Sequence, residues 1–170
     1  MDLAIKAIVS ILACFAAAGI GSLCTFRAIP TWYAGLRRPP FTPPNWMFAP
    51  IWSTLYVLMA IAVFLVWQKG FTSPGVALAV SLFWAQLGLN ALWSLVFFGM
   101  RSKGGGLIVI AVLWLLLLAT VIASFRVSAW AGGLLVPYLV WLTIALYLNS
   151  GFWWLNRGRK AALPNAAPQS

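Results

Sequence analysis

The chain has 170 residues, 64 % of them hydrophobic and 7 % charged, with one acid, no histidine and a formal net charge of +10. A soluble domain is about a quarter charged, so this chain cannot furnish a water-facing surface, and paired carboxylates, Ser-His-Asp triads and metal-hydroxide centres are excluded by inventory. The apolar runs are continuous, without the alternation of barrel strands, which leaves helices as the form that satisfies a backbone in hydrocarbon.

Five runs approach the ~20 residues that cross ~30 Å of hydrocarbon, and they predict an all-α integral membrane bundle forming one domain over residues 1–156. The first runs from about Leu3 to Phe26. Its Lys6, its Ala16-Ala17-Ala18 and its Ile11-Leu12-Ala13-Cys14 resemble a signal peptide or lipoprotein box, but the run continues past both, so a retained helix is expected. Cys14 and Cys24 are in no metal-ligand spacing and read as buried apolar thiols. Ala13, Ala17, Gly21 and Thr25 form a small-residue ridge, suited equally to a dimer contact or to packing within one bundle.

A Pro-rich loop follows, over 27–47, and the second run spans about Phe48 to Trp67, with Trp52 and Tyr56 one turn apart. The third, about Gly75 to Phe98, carries Gln86, Asn90 and Ser94 at i, i+4 and i+8, with Trp93 beside them. Gly104-Gly105-Gly106 lacks the flanking pattern of a phosphate loop. The fourth run covers about Leu107 to Phe125. The fifth covers about Leu134 to Trp154, where Tyr138, Trp141, Ala145 and Asn149 share a face. The segment 157–170 is basic, then Ala/Pro-rich, and is expected to be disordered. No internal repeat is visible.

Charge gives the spans a direction. Lys6, Lys69 and Arg126 fall on one side, and Arg27, Arg37, Arg38, Arg101, Lys103, Arg157, Arg159 and Lys160 on the other. The excess puts the first loop and the C-terminus in the cytoplasm. Basic residues split among short loops suit anionic lipid headgroups and form no nucleic-acid groove.

Eleven tryptophans remain to be explained. Trp32, Tyr33, Trp46, Trp67, Trp130, Trp153 and Trp154 stand at run ends or in loops, where an aromatic belt accounts for them. Trp52, Trp93 and Trp141 lie within or beside the polar stripes. Amides in hydrocarbon must face helices or a cavity, so the stripes either glue the bundle or line a pocket for a flat aromatic ligand. The apolar cores hold no ionisable group for ion-coupled transport.

Three motifs then carry a resemblance. They are Trp32-Tyr33-Ala34-Gly35-Leu36-Arg37-Arg38-Pro39 with Thr42-Pro43-Pro44 and Pro50-Ile51-Trp52, Gln86-Leu87-Gly88-Leu89-Asn90-Ala91-Leu92-Trp93-Ser94, and Val136-Pro137-Tyr138-Leu139-Val140-Trp141 with Ala145 and Leu148-Asn149. Together they resemble the TspO/translocator-protein family in its bacterial form, the tryptophan-rich sensory proteins and peripheral-type benzodiazepine receptors. The resemblance implies a five-helix bundle in a bacterial membrane, usually a homodimer, that binds porphyrins and hydrophobic drug-like ligands and requires no cofactor or metal. By position, Tyr33 and Pro43 from the loop would close the pocket as a lid. Trp52, Tyr56, Asn90, Trp93, Trp141 and Ala145 would line it. Some family members are credited with light-dependent porphyrin degradation, which would fall to Trp52 and Trp141.

The family's sterol motif is not intact, since Ser150 follows Asn149 and the basic residue beyond Tyr147 is as far off as Arg157. Without histidine the commonest haem ligand is missing, so the macrocycle and not iron is the expected object of recognition. Arg27, Arg37 and Arg38 read first as topology charges and second as partners for propionates. The alternative function is a structural or regulatory membrane protein whose pocket holds lipid or sterol without turnover.

Overall fold

The computed structural model describes residues 2–158, and the regular elements among these are all helices, without strands. Helix α1 spans Leu3–Ala28, α2 Phe48–Trp67, α3 Val76–Ser94, α4 Lys103–Val127 and α5 Ala129–Asn156. All five are long and apolar enough to cross a membrane, and outward-facing residues such as Leu12, Leu23, Ile108, Leu115 and Val140 are exposed. Such a surface is stable against lipid and not against water. The protein is an integral, multi-pass membrane protein.

Each helix packs against the next in the cyclic order α1–α2–α5–α4–α3, which closes on α1. Helix α1 is the least covered: 17 % of its most apolar stretch is buried, against 39 to 44 % in the others. Its small-residue ridge is used inside the bundle. Ala17 and Gly21 are buried, and a Cβ on Gly21 would come within 3.2 Å of the Ser94 hydroxyl on α3.

Two helices begin earlier than their apolar runs. Helix α4 starts at Lys103 because Ser102 caps it, its hydroxyl accepting from the Gly105 amide at 3.2 Å. Gly104, Gly105 and Gly106 are therefore helical, and Gly106 lets α4 approach α3: a Cβ there would lie 2.6 Å from the Phe97 ring. Helix α5 starts at Ala129, capped by Ser128, which is the single residue between α4 and α5. Helix α3 ends in a π-helical turn over Leu95–Gly99 that turns Phe97 and Phe98 into the core. The segment expected to be disordered lies, from residue 159 on, outside the described residues.

The loop between α1 and α2 folds down onto α5. It contains 3-10 turns at Tyr33–Gly35 and Asn45–Met47. Asn156 clamps it at both ends of one residue, accepting from the Arg37 amide and donating to the Arg37 carbonyl, each at 3.0 Å. Tyr147 donates to the Pro40 carbonyl at 3.1 Å, and Pro39 packs on Gly151, where a Cβ would meet it at 2.6 Å.

Candidate functional site

A half-open cavity of about 330 Å³ lies near the loop end of the bundle, walled by α1, α2 and α3. Its inner wall is aromatic. Trp52 on α2 stacks on Trp93 of α3 at 6.2 Å and 28°, and its ring is 5.8 Å from that of Tyr56. Trp93 in turn stacks on Phe97 at 5.8 Å and 14°, while Phe98 closes the wall. Ring faces in this arrangement offer an offset stacking surface to a flat guest.

Behind this wall a chain of buried hydrogen bonds holds the rings. The Tyr56 hydroxyl donates to Asn90 Oδ1 at 2.7 Å, and Asn90 Nδ2 donates to the Tyr138 hydroxyl at 2.6 Å. One amide thus ties α2, α3 and α5 together. Trp93 Nε1 donates to Asn149 Oδ1 at 3.3 Å, and Asn149 Nδ2 donates to the Ala145 carbonyl at 2.8 Å.

The residues singled out in the sequence therefore take different places. Trp52, Tyr56 and Trp93 line the cavity. Asn90 braces it from behind, and Ala145 supplies the carbonyl that orients Asn149. Trp141 is buried on α5 with its Nε1 unpartnered among the described residues and packs in a T-shaped pair with Phe48 at 5.9 Å; Phe48 lines the cavity and Trp141 does not. Tyr33 is buried under the loop against Phe98 and Phe152, at 6.0 and 5.0 Å, and Pro43 is half-buried in the loop; neither is in the cavity wall. Burial raises the Tyr33 phenol above its ordinary pKa, and the guanidinium of Arg38, 5.5 Å from the ring, pulls weakly the other way. Gln86, one turn before Asn90, is fully buried with neither amide atom paired among the described residues.

The α1 wall was not anticipated. Phe15, Ala18, Gly21, Ser22, Thr25 and Phe26 face the cavity, joined by Asn45, Ser53 and Ser94. The signal available was Ala18, Ser22 and Thr25 at helical spacing in an otherwise apolar run. Asn45 Oδ1 is buried and unpaired among the described residues, an acceptor left for a donor on a guest. Among the described residues, no charged side chain lines the cavity.

Comparison with known proteins agrees with this architecture. The model of the TspO/MBR family matches residues 10–155. The chain belongs to the TspO/MBR family. It is 41 % identical over 152 residues to the tryptophan-rich protein TspO of Archaeoglobus fulgidus, covering 89 % of this chain and 97 % of that one. It is 42 % identical over 131 residues to a tryptophan-rich sensory protein of Cereibacter sphaeroides, covering 77 % and 80 %. The translocator protein of Homo sapiens is 40 % identical over 129 residues, covering 75 % and 76 %. Within the TspO/MBR family, then, this chain has relatives named both as sensory and as translocator proteins.

Proposed function

We propose that this protein is a membrane receptor of the sensor type that binds porphyrins and similar flat hydrophobic ligands between α1, α2 and α3. The stacked Trp52–Trp93 pair forming the back of a 330 Å³ cavity is the observation that carries this reading. That volume is at the low end for small-molecule pockets, so part of a tetrapyrrole would insert against the indoles while the remainder projects through the open side. Porphyrin carboxylates find no cation among the described residues of the lining. Arg27, exposed in the last turn of α1 and two residues beyond Thr25, is the candidate to meet them at the membrane surface.

No carboxylate or imidazole stands in the lining to transfer protons, which favours a receptor over a hydrolytic enzyme. On this reading the loop end faces the cytoplasm, by the excess of basic residues there. A homodimer belongs to the proposal by family resemblance, and its contact would lie away from Ala17 and Gly21, which are occupied within the bundle.

The test is an equilibrium titration of the purified protein with protoporphyrin IX, followed by porphyrin fluorescence. Saturable binding that weakens at least about tenfold in Trp52→Ala, the loss expected for one stacked ring in a binding centre, supports the reading. Trp130, which is 81 % exposed, supplies the control. Equal binding by Trp52→Ala and Trp130→Ala refutes it and favours a non-specific lipid-holding role.

A further inference from the structure

We propose that the cavity takes its ligand sideways from the bilayer, through a mouth between α1 and α2, and admits only the uncharged part of that ligand. This rests on the pocket reading above and names the route and the chemical class that the pocket accepts.

The two ends of the cavity differ in how they are closed. On the loop side Tyr33 is wedged between Phe98 and Phe152, and the loop is bolted to α5 by the Arg37–Asn156 pair, by Tyr147 on Pro40 and by Pro39 on Gly151. On the membrane side the lips are short. Ser22 on α1 and Ala49 and Ser53 on α2 all line the cavity and are all exposed, which puts its open side between these two helices. Small side chains on both lips leave a gap that longer ones would fill. Helix α1, which forms the outer lip, is also the least covered helix of the bundle.

The seam continues beyond the mouth. A second hollow of about 310 Å³ lies between the same two helices, lined by Ala7, Ile11, Phe15, Val57, Ile61 and Phe64 among others. Phe15 belongs to both hollows. A hydrophobe dissolved in the hydrocarbon therefore meets an apolar hollow that shares Phe15 with the cavity. Lipid, not water, is the reservoir for such a molecule. Past the lips it finds rings, hydroxyls and the side-chain Asn45 Oδ1, unpaired among the described residues, and among those residues no charged side chain. An ionised group carried inward would lose its hydration without gaining a partner, so ionised substituents stay at the surface.

The test uses the full chain in phospholipid vesicles and the uncharged dimethyl ester of protoporphyrin IX, with rates read by energy transfer from tryptophan. Ser22→Leu and Ser53→Leu fill the mouth from opposite lips, and circular dichroism checks that each remains folded. Both are expected to slow association and dissociation together by about tenfold or more, as crowding raises the barrier. Asn156→Ala, which frees the loop, is expected to leave both rates as they are. Faster association in Asn156→Ala, or unaltered rates in both mouth variants, overturns the lateral route. Should one mouth variant fail to fold, the other decides. Absence of saturable binding in the unsubstituted protein is a different result, which refutes the pocket reading itself.

Discussion

Replacing Asn90 by Leu tests whether the buried amide is what holds the aromatic wall. The substitution keeps the side-chain volume close and removes two hydrogen bonds, from Tyr56 and to Tyr138. In a water-soluble core, orphaning a buried partner costs about 1–3 kcal/mol. Between membrane helices the measured worth of such a bond averages about 0.6 and reaches about 1.7 kcal/mol, because the separated helices find other partners in lipid. The membrane figure governs here, since all three residues are on spanning helices, and two bonds give about 1–3 kcal/mol in total. Tyr56→Phe removes only the first bond and should cost about half as much. In Tyr56→Phe/Asn90→Leu that bond is already gone, so the double variant should be no worse than Asn90→Leu alone, with a coupling of about 0.6–1.7 kcal/mol. Reversible unfolding in mixed micelles of detergent and lipid, monitored by far-ultraviolet circular dichroism, measures the cycle. Additive costs would show that the two side chains merely lie close and would refute the brace.

Three further outcomes follow from the packing. Gly106→Ala puts a methyl 2.6 Å from the buried Phe97 ring and should destabilise the fold by about 1–3 kcal/mol. Gly133→Ala, with nothing within 4 Å, should be neutral or stabilise by up to about 1 kcal/mol; equal melting temperatures for the pair would contradict the close approach of α3 and α4. Asn156→Ala removes both bonds to Arg37, a loss of about 2 kcal/mol that should speed amide exchange at Arg37 about thirtyfold; unchanged exchange would mean that the clamp does not hold the loop. Tyr33 should ionise above the ordinary tyrosine value of about 10. Because the folded state favours the neutral phenol, its hold on the loop is complete below pH 10 and lost as pH rises through the raised value; a phenolate step below 10 that vanishes in Tyr33→Phe would reverse this.

The spans were readable because hydrophobic run length is set by bilayer thickness alone. The starts of α4 and α5 were not. Ser102 and Ser128 begin those helices within stretches of Lys, Gly and Ala that a search for apolar runs passes over. The i, i+4 stripe on α3 was legible in its spacing, and the structure resolves its two readings residue by residue: Asn90 joins helices, and Ser94 lines the cavity. Which face of α1 turns inward was hidden, since its small residues serve a dimer or a bundle equally well on sequence. Only the close contact of Gly21 with Ser94 separates the two. The clamp between Arg37 and Asn156 joins residues 119 positions apart, and no local pattern announces it. Helical spacing put Trp141 on the face of Tyr138, Ala145 and Asn149, but spacing places a residue on a face and not at a depth, so its packing against Phe48 outside the cavity lining could not be read.

The proposed binding places a flat ligand on the stacked Trp52–Trp93 pair as its floor. A structure of the protein with protoporphyrin IX bound in lipid tests it most directly. Macrocycle density is expected in stacking contact with Trp52, between α1 and α2, with its carboxylates at the loop-end surface. Density confined to the outer faces of the helices, with Trp52 and Trp93 still stacked and untouched, would contradict it.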